Sequence, residues 1–302
     1  MSSPAYDKVR LTPFGYYELS EKPGPDELRE YYAAKYYQQS VRTHQHSYEE
    51  DELAFRSAKL EQKRIKVKSL IGDSLPDRPR FLDVGAGEGF ALAHFEAAGW
   101  DVIGMDFSSF GCGTHHPRLL DRMIVGDISD SLTRLAAEGA RFDLILLDNV
   151  LEHVPDPLAL LTTVRRLMRP HSVLIIEVPN DFSVLQMHLL ESGRLPRPFW
   201  VVAPDHISYF NHSGLRALAA AAGLDQRAVL GDFPIDFALC NENTNYAADK
   251  SLGKACHRMR VEIDNLIHRI SPERANDLYE ALGNLGLGRQ IVGFFQPAPA
   301  GV

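Results

Sequence analysis

Phe81-Leu82-Asp83-Val84-Gly85-Ala86-Gly87-Glu88-Gly89-Phe90 is an apolar strand that runs straight into a glycine-rich turn. Gly85, Gly87 and Gly89 stand at alternate positions, so the backbone can bend sharply and approach a ligand with no Cβ in the way. In an open α/β sheet such a turn lies at the carboxyl edge of the strands, where cofactors bind. The spacing is Gly-x-Gly-x-Gly, not the Gly-x-Gly-x-x-Gly of a dinucleotide site, and an acid, Asp83, sits inside the strand. A carboxylate there suits a cationic, amino-acid-like ligand better than a phosphate.

Three further elements follow in order. Asp101-Val102-Ile103-Gly104-Met105-Asp106 is a short apolar strand ending in an acid about 20 residues after the turn, where a carboxylate can accept both hydroxyls of a ribose. Arg122-Met123-Ile124-Val125-Gly126-Asp127-Ile128 repeats that pattern, and Phe142-Asp143-Leu144-Ile145-Leu146-Leu147-Asp148-Asn149-Val150-Leu151-Glu152-His153-Val154 is a fourth strand with a polar exit. Any one strand-ending Asp could be a turn or helix cap. Together the four elements resemble the class I S-adenosylmethionine (SAM)-dependent methyltransferases. The resemblance implies SAM as cofactor and S-adenosylhomocysteine as product. It assigns to the cofactor site Asp83, Gly85, Ala86, Gly87 and Gly89, then Asp106 with Phe107, Asp127 with Ile128, and Asp148 with Asn149. In the family, the acid corresponding to Asp127 accepts the adenine amino group, and the apolar residue after it lies against the ring.

Strands at about 80–84, 101–105, 122–125, 142–147, 172–178 and 226–232 alternate with helical apolar spacing at 90–98, 156–168 and 213–222. That alternation predicts a doubly wound, mostly parallel sheet. By the family resemblance the sheet is Rossmann-like and seven-stranded, with an antiparallel last strand at 291–295. The expected organisation is a helical cap or lid over 1–70, a SAM-binding core over 71–232, and a segment 233–302 that carries a helical insertion before the last strand. Helical patterns are expected at 249–270 and 272–284. In the cap, Phe14–Tyr17 reads as an extended lead, Tyr31–Tyr37 as a helix and Asp26 as its cap.

The chain has 302 residues, 45% of them hydrophobic, enough for a sizeable core with appendages. No run is long and apolar enough to span a membrane, and the N-terminus lacks a signal-peptide layout, so a cytoplasmic protein without membrane insertion is expected. Cys112, Cys240 and Cys256 are scattered and odd in number, which fits neither a disulfide framework nor a paired metal motif. Reduced thiols and no metal site are expected. A net charge of −8 argues against a nucleic-acid partner. The basic run Lys59, Lys63, Arg64, Lys66 and Lys68 alternates with Leu60, Ile65, Val67 and Leu70, as in a helix with a solvated charged face.

Methyl transfer needs a nucleophile held in line with the sulfonium carbon, deprotonated where necessary, and shielded from water. The cofactor acids do not face the methyl group, so a base must come from loops beyond the fourth or fifth strand. His206, in Ala203-Pro204-Asp205-His206-Ile207-Ser208-Tyr209-Phe210, and His153, beside Glu152, are the candidates, because histidine titrates near working pH. His206 is expected to be the base and His153 to brace the cofactor loop. Either could instead be structural, and Tyr209 and Phe210 are read as packing. Similar quinone-precursor methyltransferases suggest that Glu152 and His153 could also help hold a cation.

Gly15-Tyr16-Tyr17-Glu18-Leu19 through Lys35-Tyr36-Tyr37 resembles the lead-in of bacterial methyltransferases associated with surface-polysaccharide and sugar modification. The implied partner is a small-molecule acceptor of sugar, nucleotide-sugar or glycan type, with a quinone or phenolic acceptor next, and a homodimer is possible for such a chain. Two other classes stay open: a methyltransferase for protein or RNA, and a non-catalytic SAM-binding module acting through the insertion.

Overall fold

The computed structural model describes residues 8–24, 27 and 47–299. The expected helix at Tyr31–Tyr37 and its cap Asp26 lie outside the described residues. In chain order the elements are β1 (Val9–Leu11), β2 (Tyr17–Leu19), α1 (Glu50–Ile71), β3 (Arg80–Val84), α2 (Phe90–Ala97), β4 (Asp101–Asp106), α3 (Phe110–His115) and β5 (Met123–Val125). There follow α4 (Ile128–Ala137), β6 (Phe142–Asp148), α5 (Pro157–Arg166), β7 (Met168–Pro179), α6 (Val184–Glu191), β8 (Ser208–Tyr209) and α7 (His212–Ala221). The last elements are β9 (Leu224–Gly231), α8 (Gly253–Ile270), α9 (Pro272–Asn284) and β10 (Gln290–Pro297).

Seven strands form one sheet in the order β5-β4-β3-β6-β7-β10-β9. β3 pairs parallel with β4 and β6, and β10 runs antiparallel to both β7 and β9. This is the doubly wound sheet expected from the strand–helix alternation. The strand order reverses beside β3, so the glycine turn opens at the topological switch point, where a ligand crevice forms.

The strands read as continuous apolar runs because helices cover both faces. Leu82, Ile145, Leu147, Leu174 and Ile176 pack with Leu132, Leu161 and Leu215 on one face. Phe81, Leu144, Leu146, Val173 and Ile175 pack with Val67, Phe95 and Tyr279 on the other. Phe294 and Phe295 of β10 divide between the two faces, as successive strand residues must. Asp83, in phase with Phe81, therefore points to the face that α1 covers.

Several parts of this fold lie beyond the sequence expectation, the short helices α3 and α6 among them. β1 and β2 form a hairpin that adds to β8, making a three-stranded antiparallel sheet where only an extended lead was anticipated. α4 follows directly on Asp127, with Ile128, Leu132 and Leu135 as its buried stripe. The insertion between β9 and β10 is helical as expected, and it docks on α1 through polar contacts. Asp264 of α8 is fully buried, 3.0 Å from the Lys59 ammonium, and accepts a hydrogen bond from the Tyr279 hydroxyl. Asn265 donates to the Asp51 carbonyl at 2.8 Å, and Lys66 reaches Glu280 at 2.7 Å. Among the described residues no helix is long and apolar enough to cross a membrane.

α9 lies against β9 backbone to backbone at Gly283 and Gly231. A Cβ on Gly283 would fall 2.8 Å from Gly231 N and 2.8 Å from Val229 O, neither of which can yield. Gly283→Ala should therefore lower the urea midpoint by the equivalent of about 1–3 kcal/mol through overpacking. Gly253→Ala, where a Cβ meets nothing within 4 Å, serves as the control and should shift it by less than about 0.5 kcal/mol.

Candidate active site

The turn after β3 closes onto β4, because Gly85 N and Ala86 N both donate to Met105 O, at 2.8 and 3.0 Å. Gly85, Gly87 and Gly89 all adopt positive φ (81°, 52° and 79°), a region open to glycine at little cost. Gly85 is also sterically fixed, since a Cβ there would meet Val150 Cγ2 at 2.5 Å. Asp106 is buried, and its carboxylate accepts from Gly87 N at 2.9 Å and Ser108 N at 3.1 Å. The acid assigned to a ribose thus also braces the glycine turn. Asp127 is exposed and caps α4 by accepting from Asp130 N, Ile128 is buried in the core, and Phe107 is 41% exposed.

A cavity of about 350 Å³ opens beside this turn. Asp83, Gly85, Ala86, Asp148 and Asn149 of the expected cofactor set line it, whereas Gly87, Gly89, Asp106, Phe107, Asp127 and Ile128 do not. Its other walls come from α1 (Glu52, Phe55, Arg56, Lys59, Leu60, Lys63), from Glu177 of β7, and from Asp232, Arg260 and Gln290. Six acids face four cations around it, Glu52, Asp83, Glu88, Asp148, Glu177 and Asp232 against Arg56, Lys59, Lys63 and Arg260. Such a lining favours a cationic occupant.

Lys63 forms the floor. Its side chain is 6% exposed, and its ammonium lies 2.6 Å from Glu177 and 3.1 Å from Asp148. Desolvation alone would lower its pKa, but the two carboxylates outweigh it and hold the ammonium charged well above the ordinary lysine value. The expectation of a solvated basic face therefore fails for Lys63, and Lys59 and Lys66 are also engaged by acids. A sequence signal existed: Lys63 is three residues after Leu60 and four before Val67, in the apolar stripe of α1. Asp83, 3% exposed, carries the opposite perturbation. Burial first, then the neighbouring charges of Asp148 and Asp106, push its pKa up to about 8.

Asn149 takes φ 53°, tolerated by Asn better than by most residues. It donates to Asp148 at 2.7 Å and accepts from Gln290 at 3.1 Å, which joins the exit of β6 to β10. Just beyond it, His153 and His206 pack edge to face, with ring centroids 5.0 Å apart. Neither lines the cavity among the described residues. His153 Nδ1 lies 2.7 Å from the Asp205 carbonyl, which can only accept, so Nδ1 carries the proton and Nε2 keeps its lone pair. Ile207 N donates to Glu152 O, and Tyr209, fully buried as packing, donates to His206 O. Glu152 is 1% exposed, neither of its carboxylate oxygens has a hydrogen-bond partner, and burial drives its pKa well upward. Glu152, His153 and His206 each offer one possible metal ligand atom, all within 4.8 Å of one another.

A family model described as a methyltransferase domain matches residues 53–229. A ubiquinone biosynthesis O-methyltransferase of Cereibacter sphaeroides is 33% identical over 102 residues, 33% of this chain and 41% of that protein. The enzyme of the same name from Aromatoleum aromaticum is 28% identical over 155 residues, 50% of this chain and 66% of that one. The match to the first of these relatives thus spans less than half of its length. The crystal structure of Burkholderia thailandensis 1,6-didemethyltoxoflavin-N1-methyltransferase, with its acceptor and S-adenosylhomocysteine bound, superposes with a TM-score of 0.50 at 14% identity, covering 97% of this chain and 100% of that one.

Lys63→Met should leave Asp148 and Glu177 as buried carboxylates without their cation and cost about 3–5 kcal/mol of stability. Adding Glu177→Gln should recover part of that loss. Equilibrium urea unfolding of both variants checks it, and a single variant as stable as the parent would remove Lys63 from this role.

Proposed function

The chain belongs to the methyltransferase-domain family, and from that premise we propose that it O-methylates a hydroxyl of a small-molecule acceptor. S-adenosylmethionine is the methyl donor. The observation that carries the reading is the acid-rich cavity at the glycine turn, with Asp83 buried in its wall. SAM brings an ammonium and a sulfonium, and this lining answers both. Asp83 and the turn face the amino-acid end, Asp106 takes the ribose hydroxyls, and Asp127 with Ile128 meets the adenine.

In the reaction the acceptor oxygen attacks the methyl carbon in line with the C–S bond. The bond breaks, its electron pair stays on sulfur, and neutral S-adenosylhomocysteine leaves. The acceptor proton passes to the His153–His206 pair. His153 has its tautomer set by Asp205, the arrangement of an oriented base. His206, the base expected from sequence, packs on it and completes the pair. On the acceptor side two observations pull apart. The names of the relatives favour a phenol related to a quinone. The charged cavity walls favour a polar, sugar-type hydroxyl.

A second reading concerns proton removal. Glu152, His153 and His206 could hold a divalent cation, which would lower the pKa of a bound hydroxyl without a histidine base. The unpartnered buried carboxylate of Glu152 favours it. Calorimetric titration with Mg²⁺, Mn²⁺ and Zn²⁺ tests this site apart from turnover, and no binding by any of the three removes it.

Two predictions follow from the cofactor and the base. With its pKa near 8, Asp83 is largely protonated at neutral pH, and a ligand ammonium beside it should draw that pKa down. Binding then releases a proton, so SAM affinity should rise from about pH 5.5 to 6.5, more than a unit below the range of about 7.7–8.0 where an α-amino group titrates. Calorimetry in buffers of different ionisation enthalpy reads the proton directly, and Asp83→Asn should flatten the dependence. A flat profile in the parent, or tighter binding of NAD than of SAM, would sink the assignment.

For the base, His153→Gln and His206→Gln should each lower turnover by about 100-fold or more, with SAM affinity held. The residual rate should climb with pH as the acceptor ionises unaided. Near-normal turnover in both variants rules the pair out.

A further inference from the structure

Three residues that line the cavity carry a buried polar atom without a hydrogen-bond partner inside the protein: Arg56 on α1, and Arg260 and Gln290 on the segments after β9. Nε of Arg260 and Oε1 of Gln290 are buried without a hydrogen bond, although such atoms are paired in nearly all folded structures. Both lie on segments at or beyond the insertion, α8 and the first residue of β10. Around them the remaining capacity is ordered. The Gln290 amide donates to Asn149, and the Gln290 backbone N donates to Asp232 at 2.7 Å. Asp232 is buried, and its second carboxylate oxygen stands 3.8 Å from an Arg260 Nη, too far for a hydrogen bond and close enough for an ion pair. The guanidinium carbon lies 5.0 Å from the Phe55 ring centroid, which holds Arg260 in place.

Resting on the methyltransferase reading above, we propose that Arg260, Asp232 and Gln290 are specificity-determining residues that read a pair of vicinal hydroxyls on a neutral, sugar-type acceptor. A hydroxyl both donates and accepts. One placed between Asp232 and Arg260 donates to the carboxylate and accepts from the guanidinium, and its neighbour donates to Gln290 Oε1. Arg260 Nε and Gln290 Oε1 then each gain a partner.

The same walls argue against the two other acceptor chemistries. An anionic group would enter beside Asp148, Glu177 and Asp232, and each cation of the lining already faces an acid: Lys63 faces Asp148 and Glu177, Lys59 faces Asp264, Arg56 faces Glu52 and Glu88, and Arg260 faces Asp232. A long apolar tail would find Phe55, Leu60, Phe90 and Leu146, with the small Ala86 and Ala91, dispersed among these charges. Stranding desolvated charges against hydrocarbon costs more than contact with these scattered apolar side chains returns.

The test is calorimetry on the full chain saturated with S-adenosylhomocysteine. The probes are free hexoses and deoxyhexoses, nucleotide-linked hexoses, and 3,4-dihydroxybenzoate. Saturable binding is expected for at least one free hexose or deoxyhexose, and binding of the anionic nucleotide-linked hexoses alone would overturn the assignment of a neutral acceptor. Arg260→Gln and Gln290→Leu should each weaken that binding by about 10–100-fold, a larger loss than either causes in S-adenosylhomocysteine affinity. Arg260→Lys keeps the charge, lacks the Nε–H donor, and should recover only part of the loss. Failure of S-adenosylhomocysteine to bind defeats the methyltransferase reading itself. If it binds but no sugar probe does, or if only 3,4-dihydroxybenzoate binds, or if both variants bind sugar like the parent, the proposal for these residues is overturned.

Discussion

The ion cluster of Lys63 with Asp148 and Glu177 is the contact on which the rest of the site depends. It joins the middle of α1 to the carboxyl ends of β6 and β7, the edge where the ligand crevice must open. Burying three charges is costly unless each is compensated. Here one ammonium spans two carboxylates, and the pair of strands and the helix are held at a fixed spacing. That spacing leaves the cavity between α1 and the glycine turn. It also sets the electrostatics, because with Lys63 committed to Asp148 and Glu177, Asp83 lacks a cation of its own. Burial first, then the Asp148 carboxylate of that cluster, raises the Asp83 pKa, and Lys63 offsets only part of the rise.

Much of the fold was legible because its determinants are local. The strand at Phe81–Val84 and the turn after it depend on residues within ten positions, and every strand-forming run is bounded by its own turn chemistry. The last strand was legible for a different reason: the sheet type requires a strand there, and Ile291–Phe295 alternates between the two faces. The β1–β2 hairpin was not, since its sheet partner is β8, nearly 190 residues away. A three-residue strand carries too little pattern to announce itself when its partner is so remote.

The candidate site divides the same way. That Gly85, Asp83 and Asp106 meet at one turn was readable because the glycines and the strand-ending acid belong to one βαβ unit. Lys63 was misread because charge is a stronger cue than register. A lysine in a basic run suggests solvent, and only its phase with Leu60 and Val67 shows that it points inward. Arg260, Asp232 and Gln290 carry no motif at all. They meet only because β9, α8 and β10 converge at one sheet edge, and no spacing in a linear chain encodes that convergence.

This division has a functional consequence. Residues 53–229, matched by the family model, contain the glycine turn, the strand-ending acids, Lys63 and both histidines. Arg260 and Gln290 lie after that span, on segments that this chain anchors to α1 through buried Asp264 and to β9 through the Gly231–Gly283 contact. On the function proposed above, the shared portion would supply the cofactor side and the proton acceptor, and the appended helices the opposite wall. On that reading a change of acceptor would proceed by exchange of the insertion, without disturbing the glycine turn. The constraint on such exchange is the α1 interface. Any new insertion must still satisfy Lys59, or leave an ammonium in the cavity wall without its carboxylate.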